Sequence, residues 1–393
     1  MSTELTRRET LAKGLALTSL LALVPDWATP ALAQGEVEVP FTDIPKNFNP
    51  APPGAPTRML DIRKLSMVTP KDDFFAIQHF AQPEIDGGAY RLKLSGMVNK
   101  PMELSLAEIK VMKPVVETAA GYECSGNSAR SMEGLSSSGK FSGVPLNAVL
   151  KHVGVHPDAA EVVLLGTDRG VRDSVFRTQT FKLNQQFGRS LTIQRAMKPE
   201  PLLAYALNGE PLTKAQGFPL RLIMPGWYGV CNVKWVSEIH LQEQRYVGEF
   251  EARWYRTIRG TGGTGEDSDG STQWEDNEIT HLNIKSVIAR VTKKGSGNEI
   301  TGFILHDGSG VKSVEVKVDD GPWQKATIDE SGGKYAWKLF KFNWEGATPG
   351  EHTIVSRATD AAGNVQPEAG PLNKFKKTFL EDNSQFPRKV MVS

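Results

Sequence analysis

Cysteine is almost absent: 2 in 393 residues, Cys124 and Cys231, far apart in the chain. That excludes a disulfide framework and any CxxC zinc pair, and without a CxxCH segment the chain has no c-type haem attachment. Charge of one sign is lacking too, with 46 Lys+Arg against 45 Asp+Glu and a net charge of +1. A nucleic-acid binder needs a basic excess to neutralise phosphates, so that class is excluded. The 7 histidines form no HExxH or HxH pair, which leaves a histidine-ligated zinc or iron centre unsupported. There is no GxSxG elbow for a serine hydrolase, and no apolar run reaches the roughly 20 residues that span a bilayer. What is present is length enough for two or three domains at about 150 residues each, with 37 Gly and 24 Pro punctuating it.

The first 33 residues read as an address. Thr6 to Lys13 is TRRETLAK, Leu15 to Val24 is a short apolar run, and Ala31-Leu32-Ala33 is an A-x-A cleavage pattern. This resembles a twin-arginine export signal, removed on export and not an anchor; a Sec signal or basic tail is the alternative. The expectation is a periplasmic mature protein that starts near Gln34 and has no membrane span.

Organisation follows from composition. Residues 34–70 read as an N-terminal extension. From 71 to 259, short strand and helix patterns mix without strict alternation, which predicts an α+β domain. Arg91 to Met97, Glu161 to Gly166 and Leu220 to Pro225 read as strands; Leu104 to Met112 and Val144 to Val153 read as helices. Gly260 to Gly270, GTGGTGEDSDG, has the composition of a flexible connection, so 260–279 is expected to be an interdomain linker. Beyond it, Ser313 to Asp319 (SVEVKVD) alternates strictly, and Tyr335 to Phe342 and His352 to Thr359 are further strand candidates. Residues 280–393 therefore predict a β-sandwich of immunoglobulin type.

One segment carries a chemical suggestion. Cys124 lies in GYECSGNSAR (Gly121 to Arg130), after a strand pattern and among small residues that let a ligand approach the backbone. Arg130, a few positions on, is placed to favour a thiolate or an oxyanion. From the residues alone, a buried structural cysteine remains the competing reading.

ECSGN resembles the cysteine loop of the sulfite oxidase family of molybdopterin enzymes. The resemblance extends from about Asp72 to Val392. It includes DDFFAIQHF (Asp72 to Phe80), LLAYALNGEPL (Leu202 to Leu212), QGFPLRLIMPGWYGVCNVKW (Gln216 to Trp235) and DAAGNVQPE (Asp360 to Glu368). It implies a molybdopterin domain followed by an immunoglobulin-like dimerisation domain, and a molybdenum–molybdopterin cofactor with no haem in this chain. It also implies a homodimer and an external electron carrier such as a c-type cytochrome. By position it implies Cys124 as the molybdenum ligand. Arg221 and Lys234 would bind the cofactor's phosphate, with Gln216, Asn232 and Val233 beside them. Gln78, His79 and Asp168 would contact the pterin, and Tyr255 would hydrogen-bond near the exchangeable oxygen. Cys231 reads as a buried, inert thiol near the pterin, with both thiols unpaired.

The substrate pocket departs from the family. Where sulfite-oxidising members place arginines for their dianionic substrate, this chain has Ile77, Ala129 (with Arg130 next to it) and Lys338. Gly134 to Gly143 is also shorter than the family's loop, which carries a tryptophan. A small oxyanion or other sulfur compound is the implied substrate. A reductase of sulfoxides or N-oxides using the same metal is the alternative.

Overall fold

The computed structural model describes residues 36–46, 48–50, 57–266 and 270–393. The export signal expected within 1–33 lies outside the described residues.

In chain order the first strands are β1 (Val37–Glu38), β2 (Arg91–Gly96), β3 (Met102–Ser105), β4 (Val116–Glu123), β5 (Ser136–Pro145), β6 (Glu161–Phe176) and β7 (Gln179–Thr192). They continue with β8 (Leu202–Leu207), β9 (Glu210–Pro211), β10 (Arg221–Ile223) and β11 (Val236–Gln242). β2 to β11 form two five-stranded sheets: β3-β2-β11-β6-β7, and β10-β8-β5-β4 with β9 on β8. The helix Leu146–Val153 packs on them because Leu146, Val149, Leu150 and Val153 fall on one face and are all fully buried. Gly154 ends that helix at φ +71, where its N–H donates to Leu150 O. The helix Leu106–Val111 begins at a Ser105–Glu108 capping box. The α+β expectation holds.

The stretch expected to be a linker is ordered differently. β12 (Arg256–Thr261) and β13 (Gln273–Glu278) pair in register as an antiparallel hairpin, and the glycines form its turn region. Glycine and acidic residues signal a turn as readily as a tether, and composition does not separate the two.

The second domain comprises β14 (Lys285–Lys294), β15 (Gly297–Leu305), β16 (Val311–Val318), β17 (Gln324–Lys325), β18 (Thr327–Asp329), β19 (Lys338–Trp344), β20 (Gly350–Asp360) and β21 (Arg388–Val392). Two sheets, β1-β14-β15-β19-β18 and β17-β16-β20-β21, enclose Ile288, Ile300, Phe340, Val314, Val316 and Ile354. The alternation read at Ser313 to Asp319 is visible here: Val314 and Val316 are buried and Val318 half-buried. Described parts of the extension 34–70 pack on this sandwich. β1 pairs with β14, and Leu60, Ile62 and Leu65 pack against Val287, Phe303 and Trp337.

The domains are pressed together. Gly226 has φ +78, and a Cβ there would lie 2.2 Å from Asp307 O. Gly121 N donates to Tyr335 O at 2.8 Å. Lys285, fully buried on β14, reaches Glu123 at 2.8 Å and Glu133 at 2.5 Å in the first domain.

Candidate functional site

A cleft in the first domain encloses about 790 Å³, part of it open to solvent. Its walls include Phe74, Phe75, Phe187 and Trp235, with Gln78, His79, Cys124, Asp168, Arg221, Asn232, Lys234 and Tyr255 projecting polar atoms. Six segments distant in sequence converge here, and four of the side chains are aimed by local devices.

Cys124 follows β4, where the chain turns. Its N–H donates to Leu135 O and its carbonyl accepts from Asn127 N, both at 2.9 Å. The Asn127 side chain ties the turn together, donating to Glu123 Oε1 and Ser136 Oγ and accepting from Leu135 N. Asp168 is turned inward by a bulge: the β6–β7 register shifts between Leu165 and Arg169. Such bulges re-aim side chains beside sites. Arg221 on β10 donates to Gln216 O at 2.9 Å, with its guanidinium carbon 5.7 Å from the Phe141 ring centre. Lys234 lies over the Trp235 ring and donates to Gln78 Oε1 and Ala215 O. Gly217, at φ +104, leaves room for its stem, since a Cβ there would be 3.0 Å from Lys234 Cβ.

The electrostatics are those of a site that receives an anion. Among the described residues, no carboxylate forms an ion pair with Arg221 or Lys234. Arg221 Nε, Asp168 Oδ1 and Tyr122 Oη are buried without a hydrogen-bond partner. Burial, reinforced by Arg221, pushes the Lys234 ammonium down to about 7. Burial lifts Asp168 to about 6 against the pull of Lys234. Burial, with Arg172 and Lys234 adding to it, lowers His79 to about 4. Burial lifts the Cys124 thiol to about 11. Desolvated cations without a counter-ion are costly, and an entering phosphate would offset that cost.

Lys234→Met should therefore stabilise the cofactor-free protein, by roughly 1–3 kcal/mol at pH 6, while lowering its retention of an anionic cofactor. A lysine held at about 7 instead of 10.5 leaves the unfolded chain binding the extra proton across that window. The wild type then gains stability as pH rises through it. Thermal melts of wild type and variant should differ most below pH 7 and converge toward pH 10. A variant that melts lower at pH 6 would overturn this account.

Some expected site residues lie elsewhere. Arg130 is exposed, in the turn Ala129–Ser131, and does not line the cleft. The fold turns its side chain to solvent. Lys338 is buried 3.1 Å from Glu330 and donates to Gly333 O, so its ammonium is engaged within its own domain. Val233 points into the core and contributes its carbonyl, which accepts from Leu222 N at 2.8 Å. Gln216 is buried behind the cleft and supports Arg221. Cys231 is buried away from the cleft, where its thiol donates to Ile279 O at 3.3 Å and burial lifts it to about 12. Both thiols are free. Sequence reading missed Arg172, which touches His79; an arginine in an exposed, alternating strand gives no signal of its own.

Comparisons with known proteins agree with this geometry. The family model described as "Oxidoreductase molybdopterin binding domain" matches residues 79–250, and "Mo-co oxidoreductase dimerisation domain" matches 276–376. Mitochondrial sulfite oxidase of Rattus norvegicus is 28% identical over 355 residues, covering 82% of this chain. The chain spans 60% of that enzyme's length. Sulfite oxidase of Arabidopsis thaliana is 27% identical, covering 77% of this chain and 83% of its own. The solved structure of the sulfane dehydrogenase SoxCD from Paracoccus pantotrophus aligns with TM-score 0.71 at 23% identity, over 91% of this chain and 90% of that one. It is a match of fold.

Proposed function

The chain belongs to the sulfite oxidase family of molybdopterin oxidoreductases, and from that premise we propose that it oxidises sulfite or a less highly charged sulfur compound by oxygen-atom transfer. The observation that carries the reading is the pair of buried cations, Arg221 and Lys234, which among the described residues have no carboxylate counter-ion and share one cleft with the free thiol of Cys124.

The residues present fit a molybdopterin. Arg221 and Lys234 would hold its phosphate, with Asp168, Gln78 and His79 at the pterin and Cys124 at the metal. A soft thiolate suits such a centre. When bound, the group supplies a two-electron redox centre competent for oxygen-atom transfer. The chain's own contribution is to position and to exclude water. Phe74, Phe75, Phe187 and Trp235 wall the cleft, and Tyr255 and His79 present polar atoms to it. Overall, sulfite and water give sulfate, two protons and two electrons. The electrons leave singly to an external carrier of the c-type cytochrome class. Pairing of two copies through residues 280–393 and residence in the periplasm complete the proposal; the dimerisation-domain match and the Arg7-Arg8 motif support them. No helix of the described residues is long and apolar enough to cross a membrane.

Specificity is where this chain differs from sulfite-oxidising relatives. Ile77 lines the cleft, 38% exposed, and neither Arg130 nor Lys338 reaches it. Ile77→Arg should tighten sulfite binding about ten-fold, since a charge-assisted hydrogen bond contributes ~1.5–3 kcal/mol and this position is partly screened. An unchanged KM for sulfite would refute the pocket argument. A panel of sulfite, thiosulfate, a sulfoxide and an N-oxide, run with artificial donor and acceptor on molybdenum-replete protein, tests the reaction itself. Oxidation of none of the sulfur compounds would overturn the proposal, and turnover only of the sulfoxide or N-oxide would establish the reductase.

A further inference from the structure

One cation near the cleft does not line it. Arg172 stands on β6 with its Nη1 3.1 Å from His79 Nδ1. Its guanidinium lies over the Trp254 ring at 4.5 Å and faces Phe250 at 5.5 Å. The acids adjoining it and its ring partner Phe250 in sequence are engaged elsewhere: Asp173 pairs with Lys182, and Glu249 with Arg253. The guanidinium is held by aromatic faces and one imidazole nitrogen, and among the described residues no carboxylate forms an ion pair with it. On its other side His79 Nε2 is 2.6 Å from Tyr255 Oη, and Tyr255 lines the cleft.

Donor and acceptor capacities order this chain of contacts. A guanidinium has only donors, and a neutral imidazole has one donor and one acceptor. The nitrogen facing Arg172 must be the acceptor, so the hydrogen sits on Nε2. Nε2–H then donates to Tyr255 Oη, and the phenol's own hydrogen is left to donate into the cleft. His79 stays neutral at pH 7 because burial and two cations, Arg172 and Lys234, depress it. Its ring is fixed in plane by stacking on Phe250 at 4.6 Å.

We propose that Arg172 is a positioning residue that locks His79 as the Nε2–H tautomer and thereby makes Tyr255 Oη an obligatory donor to an acceptor oxygen in the cleft. With the opposite tautomer, Nε2 would accept from the phenol, and Tyr255 would turn lone pairs toward an oxyanion. Arg172 thus selects for ligands that present acceptor oxygens without touching them. This catalytic consequence rests on the proposed function; the tautomer does not.

The test is nitrogen-15 NMR of histidine-labelled, full-length protein at pH 7, with His79→Gln identifying the signal, alongside kinetics on sulfite. Wild type should show Nε2–H. Arg172→Met should lose that preference and lower kcat/KM for sulfite by about 10–100-fold, and Arg172→Lys, which keeps a donor, should restore both. An Nδ1–H signal in wild type overturns the proposal even if no variant folds. So does an unchanged tautomer or an unchanged kcat/KM in Arg172→Met at wild-type molybdenum content. If the tautomer behaves as expected but no sulfur compound is oxidised by wild type, the positioning stands and the proposed function fails.

Discussion

Cys124→Ser is expected to lower turnover by at least ~10³-fold, more than 4 kcal/mol of activation free energy, without unfolding the protein. The loop's backbone bonds, from Cys124 N to Leu135 O and from Asn127 N to Cys124 O, survive the exchange, so melting should move little. The loss is chemical. Burial lifts the thiol to about 11, with Arg130 out on the surface, so the free side chain is protonated at neutral pH and is a poor nucleophile. A metal held there would displace the thiol's proton; a serine hydroxyl, harder and far less acidic, would give its proton up poorly. Turnover, molybdenum content and a thermal melt on the same sample check this. Wild-type turnover at full molybdenum would remove Cys124 from its proposed role as ligand.

Lys285→Met is expected to cost about 3–5 kcal/mol of stability, because it strands two carboxylates in the interior. The ammonium is fully buried and donates to Glu123 Oε1, Glu133 Oε2 and Asp382 O. Glu123 adjoins Cys124 and accepts from Asn127, so the substitution also loosens the cysteine turn, and activity should fall with stability. The pH dependence has a definite sign. Burial raises Glu133 to about 7 from an ordinary 4.5, so the native state holds its proton more tightly than the unfolded chain. Its contribution is fully present below pH 4.5 and is lost as pH rises through 7. Lys285 opposes that rise for both carboxyls, so without it Glu133 and Glu123 move further up and the variant loses more stability than wild type as pH rises. Its deficit should be larger at pH 8 than at pH 6 in chemical denaturation, and an equal deficit would contradict the assignment.

Local order was legible where one periodicity dominates. The helix Leu146–Val153 and the Val314–Val316 alternation appear in the structure as the pattern predicts. The cysteine turn carried a chemical suggestion of its own, but it and the Gln216 to Trp235 segment were legible as one site only through resemblance, because nothing in their spacing joins them. What escaped depends on partners distant in sequence. β1 is two residues long and has meaning only against β14. The hairpin of β12 and β13 carries a turn whose composition equals that of a tether. Asp168 faces the cleft because of a bulge, and a bulge depends on register, which single strands do not encode. Arg130 and Lys338 read as site cations from position alone; the chain path turned one to solvent and the other to Glu330.

The contact at Gly226 has a kinetic meaning. Where backbone of one domain lies against backbone of the other with no room for a methyl group, the two cannot rock apart about a hinge without losing that fit. Traffic into the cleft is therefore not gated by domain closure. Capture then depends on what diffuses to the mouth of the cleft and how its rim receives it.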